Sequence, residues 1–553
     1  MTDLTYTIGV DFGTLSARAV LTDSRDGHIL AWAESPYAHG VLSENLPCGA
    51  PLPPQWALQV PRDYPDALTE AVRGVMQKSG VAPQQVAAIG FDFTSCTVLP
   101  TSADGTPLCE LPDGDMQPHT YAKLWKHHAA QPYAARIEAL AREMDEPFLR
   151  RYGGRVSSEW TYPKLLQILD EAPEVAQRTE LFLEAGDWLT WQLTGQLRRN
   201  ACAAGFKQFW AADGQLPSPE FLQALDPRFP ELCRRALRGE ILPPWESVGT
   251  LTPEWAETLG LTCATVVAAG IIDAHAAVIG AGVYRPGQAL LIAGTSGCQL
   301  TLNEQGVSVP GVCGYAKDSV APGLYAYESG QPCVGDMFDW FARSCVPEDY
   351  VHQAQDSGVS IHQLLTDKAA RLTPGRSGLV ALDWWNGQRS PFVDDDLSGV
   401  MLGLTLRTRP EEQYRALLEG SAYGVRLIFD TYRRAGLSIS EVFVCGGIAR
   451  KNKLMMQIYA DVLGCPIRVC GSDQACALGA AILAATAAGC RPSLYAAMDA
   501  MSAPADGTYL PTDEHVGIYD RLYEIYRDAA QHFARHSDTM HQLMALRRGK
   551  ETL

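Results

Sequence analysis

The sequence predicts an α/β fold built from two similar halves that face one cleft. Three observations predict it. Strand–turn–strand signals open at residues 6–23 and again at 289–302. Apolar runs of strand length alternate with helical patterns through both halves. The Gly13-Thr14 pair of the first turn is echoed by Gly294-Thr295 in the second, as an internal duplication would leave it.

A chain of 553 residues has room for two large domains. Polar, Pro-rich sequence over 212–262 gives way to an apolar run, which predicts a division into residues 1–265 and 266–553. The net charge of −18 argues against a nucleic-acid partner, which needs a basic face. The fifteen cysteines are scattered without a Cys-x-x-Cys pair, as in reduced cytoplasmic proteins. No basic-then-apolar leader follows Met1. The longest apolar runs, 261–283 and 475–489, are interrupted by Asp273 and His275 or too short to span a bilayer, so no membrane partner is expected. The histidines include no His-Glu-x-x-His, which argues against a zinc hydrolase.

In the first hairpin, Ile8 and Val10 lead into Asp11-Phe12-Gly13-Thr14, and an apolar run resumes at Ala17. Gly13 allows close backbone approach, and exposed turn N–H groups with the Thr14 hydroxyl suit an anion. Asp11 is too near that turn to meet a phosphate without a cation between them. The two readings are a Mg²⁺–phosphate hairpin and an ordinary turn whose Asp and Thr satisfy backbone groups.

A helix is predicted over 63–78 and a strand at Val86–Phe91, with Asp92 to Thr97 just past its end, where crevice-lining residues sit. Residues 117–150 read as helical from about Lys123-Leu124-Trp125-Lys126-His127-His128. Lys164 to Leu169 reads as an amphipathic helix, and Ala203-Ala204-Gly205-Phe206-Lys207 as a turn ending in a lone lysine. Val266 to Asp273 is a buried strand, a glycine and a carboxylate at the strand's exit, either a helix cap or a general base. Glu328 closes a strand over Tyr325 to Gln331. Glu441 to Cys445 runs into Gly446-Gly447, where a flat group such as a nucleobase could approach the backbone, and a helix follows from residue 453. Ser472-Asp473-Gln474 is placed to cap the Ala-rich helix from 475.

Asp11-Phe12-Gly13-Thr14, Gly294-Thr295-Ser296, Cys445-Gly446-Gly447-Ile448-Ala449-Arg450-Lys451-Asn452 and Ala477-Leu478-Gly479-Ala480-Ala481 together resemble the FGGY family of sugar kinases, in motif order and across the chain. The likeness is sharpest toward members acting on L-ribulose, through Leu124 to His128, Arg151 to Gly154, Ser157 to Trp160 and Leu382 to Gly387. The resemblance implies two actin-like (ribonuclease H-like) ATPase domains around a cleft, with sugar mainly on the first and ATP mainly on the second. It implies phosphorylation of a ketopentose by ATP with Mg²⁺, L-ribulose to L-ribulose 5-phosphate in L-arabinose catabolism. The alternatives are D-ribulose or another ketose or polyol, and, from a different class, an actin-like ATPase acting as sensor or chaperone. A homodimer stays open.

Carried over position by position, Asp11 would hold the metal, and Gly13, Thr14, Gly294 and Thr295 would meet phosphates. Gly446, Gly447 and Asn452 would lie along adenosine. Asp273 would be the base, and Ser95, Lys207 and Glu328 would contact the sugar with it. Many relatives have Trp-x-Asp-x-Arg where this chain has Trp125-Lys126-His127-His128, so those Asp-Arg sugar contacts do not transfer, which argues against glycerol kinase and xylulokinase.

Overall fold

The computed structural model describes residues 5–548. Its first sheet is made of β1 (Tyr6–Phe12), β2 (Ser16–Asp23), β3 (Ile29–Pro36), β4 (Val86–Phe93), β5 (Ser247–Thr250), β6 (Val266–Ala268) and β7 (Ile271–Ile272). The strand order is β3-β2-β1-β4-β6-β5, and β7 also pairs with β4. The second sheet contains β8 (Gln288–Ala293), β9 (Gly297–Asn303), β10 (Gly314–Lys317), β11 (Tyr325–Gln331), β12 (Glu441–Cys445), β13 (Ile467–Cys470) and β14 (Ala505–Tyr509), ordered β10-β11-β9-β8-β12-β13-β14.

From β3 to β5 and from β11 to β14 the two orders match strand for strand. The directions match as well. Each opening hairpin is antiparallel, the next two neighbours are parallel, and the far edge is antiparallel. The duplication predicted from the two turns is therefore a property of the whole sheets.

The helices that matter for the site are α1 (Asp63–Ser79), α2 (Thr161–Glu171), α3 (Ala201–Lys207), α4 (Asp273–Gly280), α5 (Gly335–Ser344), α6 (Pro410–Arg434), α7 (Lys453–Leu463) and α8 (Ala475–Ala487). α1 and α8 sandwich the first sheet, so β1 is buried on both faces and carries few polar residues. The small residues of α8 explain its position. A Cβ on Gly9 would lie 1.8 Å from the Ala477 carbonyl oxygen, and one on Gly90 would lie 2.3 Å from that of Ala480. Two strand glycines thus admit a helix from the chain's far end onto the first sheet. α3, α4, α8, β8 and β9 share one apolar cluster, which joins the two halves.

Four expectations are corrected. β6 and β7 extend the first sheet, so a cut at 265/266 runs through that sheet, and the first half continues into α4. Leu124 to His127 is not helical, and His128 only opens a single 3-10 turn, His128–Ala130: Ala122–Lys123 pairs with Leu58–Gln59, the Leu124 N–H donates to the Ala57 carbonyl, and the first long helix of this stretch is Gln131–Glu143. Ala203 to Lys207 belongs to a helix, not a turn, because Asn200 caps α3 by accepting the Ala203 N–H at 2.7 Å. Gln474, not Ser472, flanks α8, and its side chain makes no capping bond; Ser472 Oγ instead accepts the Gln474 N–H. All fifteen cysteines are free, and no helix among the described residues is long and apolar enough to cross a membrane.

Candidate active site

The first turn sits where β1 hands over to β2. Gly13 N–H donates to the Ser16 carbonyl at 3.0 Å, which closes it. Two side chains brace Thr14: Gln59 Nε2 donates to its carbonyl at 2.7 Å, and Trp125 Nε1 donates to its hydroxyl at 3.3 Å. Asp11, partly exposed, faces Arg18 at 3.7 Å. Burial raises its carboxyl above the usual range despite Arg18. Asp92 stands beside it, paired in register across β1 and β4. Asp92 is fully buried, and apart from the Asp11 carboxyl neither of its oxygens has a hydrogen-bond partner. These hard oxygen donors suit Mg²⁺. Among the described residues no cluster of three or more His, Cys, Asp or Glu forms a metal cage. The fit is thus to an ion that completes its shell with nucleotide phosphates and water.

Asp273 is the first residue of α4, at the exit of β7, and its carboxylate accepts the Ala274 N–H at 2.6 Å. Burial first, then the charges of Asp11 and Glu328, push its pKa up to about 7, against the pull of Ala274 N–H and Lys207. Lys207 ends α3, and its ammonium donates to both oxygens of Glu328 on β11 at 3.0 and 2.9 Å. The residues expected to contact the sugar therefore come from both halves, since Glu328 belongs to the second sheet. Burial opposes the charge on Glu328, but Lys207 outweighs it and holds the carboxylate below its ordinary range. His275, fully buried, lies 3.8 Å from Glu328, and burial lowers its pKa to about 4, which keeps the ring neutral.

A cavity of about 590 Å³ opens over this pair, walled by His128, Glu159, Lys207, Glu328, Asn386 and Arg389. Glu159 and Arg389 bridge the halves at 3.8 Å. Ser95 and Asp273 are partly exposed and are not among its walls.

The second turn is braced by backbone. Gly294 N–H donates to the Ser296 carbonyl, while the Val334 and Gly335 N–H groups at the start of α5 donate to Thr295 and Gly294 at 2.9 and 3.0 Å. Thr295 is exposed, as are Gly446 and Gly447. Gly446 has φ +109°, and a Cβ there would lie 2.3 Å from the Ala293 carbonyl oxygen. Glycine is needed at this crossing, and Gly447 beside it has nothing within 4 Å. Asn452 caps α7 by accepting the Met455 N–H at 2.9 Å, so its side-chain oxygen already has a structural task.

Two buried polar residues of the candidate site escaped sequence reasoning. Asp92 was legible only as one of several polar residues past a strand. Lys164 read as part of an amphipathic helix, yet it is fully buried and donates to the carbonyls of Cys96 at 2.6 Å and Leu124 at 2.7 Å. It clamps the turn that presents Ser95, where Cys96 adopts φ +58°, to the loop that presents Trp125. A signal existed: a lysine among Leu165, Leu166, Ile168 and Leu169. Of the paired histidines, His127 is core, hydrogen-bonded to Gln167 and packed edge-on against Trp56. Trp384 is likewise core, while Trp385 lies 5.4 Å from Trp340.

Residues 6–280 match the N-terminal domain of the FGGY family of carbohydrate kinases, and residues 289–488 match its C-terminal domain. The ribulokinase of Halalkalibacterium halodurans is 48% identical over 98% of this chain and 97% of its own length. That of Geobacillus thermodenitrificans is 47% identical over 97% and 96%. Among solved structures, a gluconate kinase from Lactobacillus acidophilus superposes with TM-score 0.79 at 20% identity, covering 96% of this chain and 99% of its own. A xylulose kinase from Rhodospirillum rubrum gives TM-score 0.79 at 23% identity, covering 95% and 99%. These two likenesses establish the shared fold.

Proposed function

The chain is a sugar kinase belonging to the FGGY family of carbohydrate kinases, and from that premise we propose that it transfers the γ-phosphoryl group of ATP to L-ribulose, giving L-ribulose 5-phosphate in the breakdown of L-arabinose. The observation that carries this reading is the near-full-length identity to ribulokinases.

The chain's own residues have definite tasks in such a transfer. A sugar hydroxyl is a poor nucleophile at neutral pH, so a base must take its proton as it attacks. Asp273 has a pKa of about 7, which lets it accept that proton near neutrality. Lys207 donates and Glu328 accepts, so a ketose inserted at their ion pair would have its hydroxyls oriented from both halves. Thr14 and the N–H groups of the first turn would face the transferring group from one side, and Gly294 and Thr295 from the other. Mg²⁺ held at Asp11 would supply charge neutralisation on the phosphates. Gly446 and Gly447 leave room for the adenosine, with Asn452 beside it. Glu159 and Arg389 would keep the halves together over the sugar and exclude water.

The test is ADP release measured with a panel of ketoses and polyols. L-ribulose should rank first. D-ribulose or another ketose ranking first would move the acceptor and leave the kinase standing, whereas equal ADP release without any sugar would favour an ATPase.

A further inference from the structure

Phosphoryl transfer as derived above gives no step to Asp92, a buried acid beside Asp11. Asp92 ends β4 next to Asp11, and residues in register on adjacent parallel strands point to the same face. On the other side of β4, Ile271 of β7 pairs with Asp92, and Asp273 follows two residues later. Asp92 thus lies between the strand that carries Asp11 and the strand that leads into Asp273. It is fully buried, and apart from the Asp11 carboxyl beside it neither oxygen has a hydrogen-bond partner. Buried carboxylates are ordinarily paired or bound to metal. Among the described residues the ion pairs at this cluster reduce to Arg18 with Asp11, and the Arg18 side chain is 43% exposed.

The duplicated half shows that the sheet does not require acids here. By the alignment of the two turns, Ile292 stands where Asp11 does, and its register partner across β8 and β12 is Cys445. The same topology therefore packs an apolar side chain against a thiol in one half and sets two carboxylates side by side in the other. The difference follows the chemistry of the cleft, not the demands of the fold.

We infer that Asp92 is a second carboxylate for the divalent cation that accompanies ATP, acting with Asp11 as a pair. The ion is of the hard, oxygen-seeking class, for which one or two protein carboxylates plus phosphates and water are the usual shell. This inference rests on the kinase reading of the site.

The experiment measures free Mn²⁺ by electron paramagnetic resonance during titration of wild type, Asp92→Asn and Asp11→Asn at saturating ADP. ADP affinity in EDTA is measured in parallel. Asp92→Asn keeps the side chain's shape and should weaken enzyme-bound Mn²⁺ by about tenfold or more, as Asp11→Asn does, with metal-free ADP affinity unchanged. Asp92→Ser, also neutral, should give the same weakening and serves if the Asn variant does not fold. Wild-type Mn²⁺ affinity in a folded Asp92 variant, with Asp11→Asn weakened, would overturn the assignment while leaving the kinase reading intact. A wild type that binds neither Mn²⁺ nor ADP would overturn both.

Discussion

The two opening turns occupy equivalent places in matching sheets, yet they are built for different work. The first is braced by side chains from neighbouring segments, Gln59 and Trp125, which fix the Thr14 carbonyl and hydroxyl. The second is braced by the backbone at the start of α5 and leaves Thr295 exposed. Carboxylates crowd the first, where Asp11 pairs with Asp92 and Asp273 follows β7. At the second, Ile292 pairs with Cys445, and the glycines of the next strand lie open. In the proposed reading both turns would face phosphate, and the difference at a few register positions would make the first a seat for metal and proton transfer and the second a platform for nucleotide.

The comparison breaks most visibly at Asp273. Asp273→Asn should lower kcat by about 10²–10⁴-fold with ADP affinity retained; near-normal turnover would remove Asp273 as the base. Next comes the pair that spans the halves. Lys207→Met leaves the part-buried Glu328 at the cavity wall without its cation, and should raise KM for the sugar and lower Tm. A Lys207→Met, Glu328→Leu double variant should recover much of that Tm without recovering sugar use. If ADP binding alone suffered, the pair would belong to the nucleotide side.

The pH profile sharpens the same point. Burial and the charges of Asp11 and Glu328 raise the Asp273 carboxyl to about 7. The base must be deprotonated to act, so kcat should fall about tenfold per unit as pH drops below that value. A rate independent of pH through that range would contradict the assignment.

Gly446→Ala tests the other turn. A Cβ at φ +109° and 2.3 Å from the Ala293 carbonyl oxygen imposes strain there, roughly 1–3 kcal/mol for such a backbone. ADP should bind more weakly by calorimetry, with sugar affinity unchanged. The smallest effect is expected at Glu159. Its pairing with Arg389 is at 3.8 Å and half open to solvent on the Arg389 side, a class worth under about 1 kcal/mol. Glu159→Gln should change sugar KM only a few-fold.

Much of this was legible in the sequence because the signals are local. The Gly-Thr turns, the carboxylate at the exit of β7 and the double glycine after β12 each announce themselves within a few residues. What stayed hidden depends on register and packing between distant segments. Asp92 gains its meaning only when β4 pairs with β1 in a register that sets it beside Asp11. Lys164 gains its meaning only when two loops bring carbonyls to it. α3 was missed because its small residues look like a turn unless Asn200 is read as its cap. The division at 265/266 failed because the change in composition marks where the chain re-enters the first sheet, not where it leaves it.

Phosphorus NMR of the reaction mixture tests the central claim most directly. With ATP, Mg²⁺ and L-ribulose, the γ-phosphate signal should be replaced by ADP and a single phosphomonoester on the primary hydroxyl, and ATP without sugar should persist. Inorganic phosphate forming at the same rate with and without L-ribulose would contradict the account.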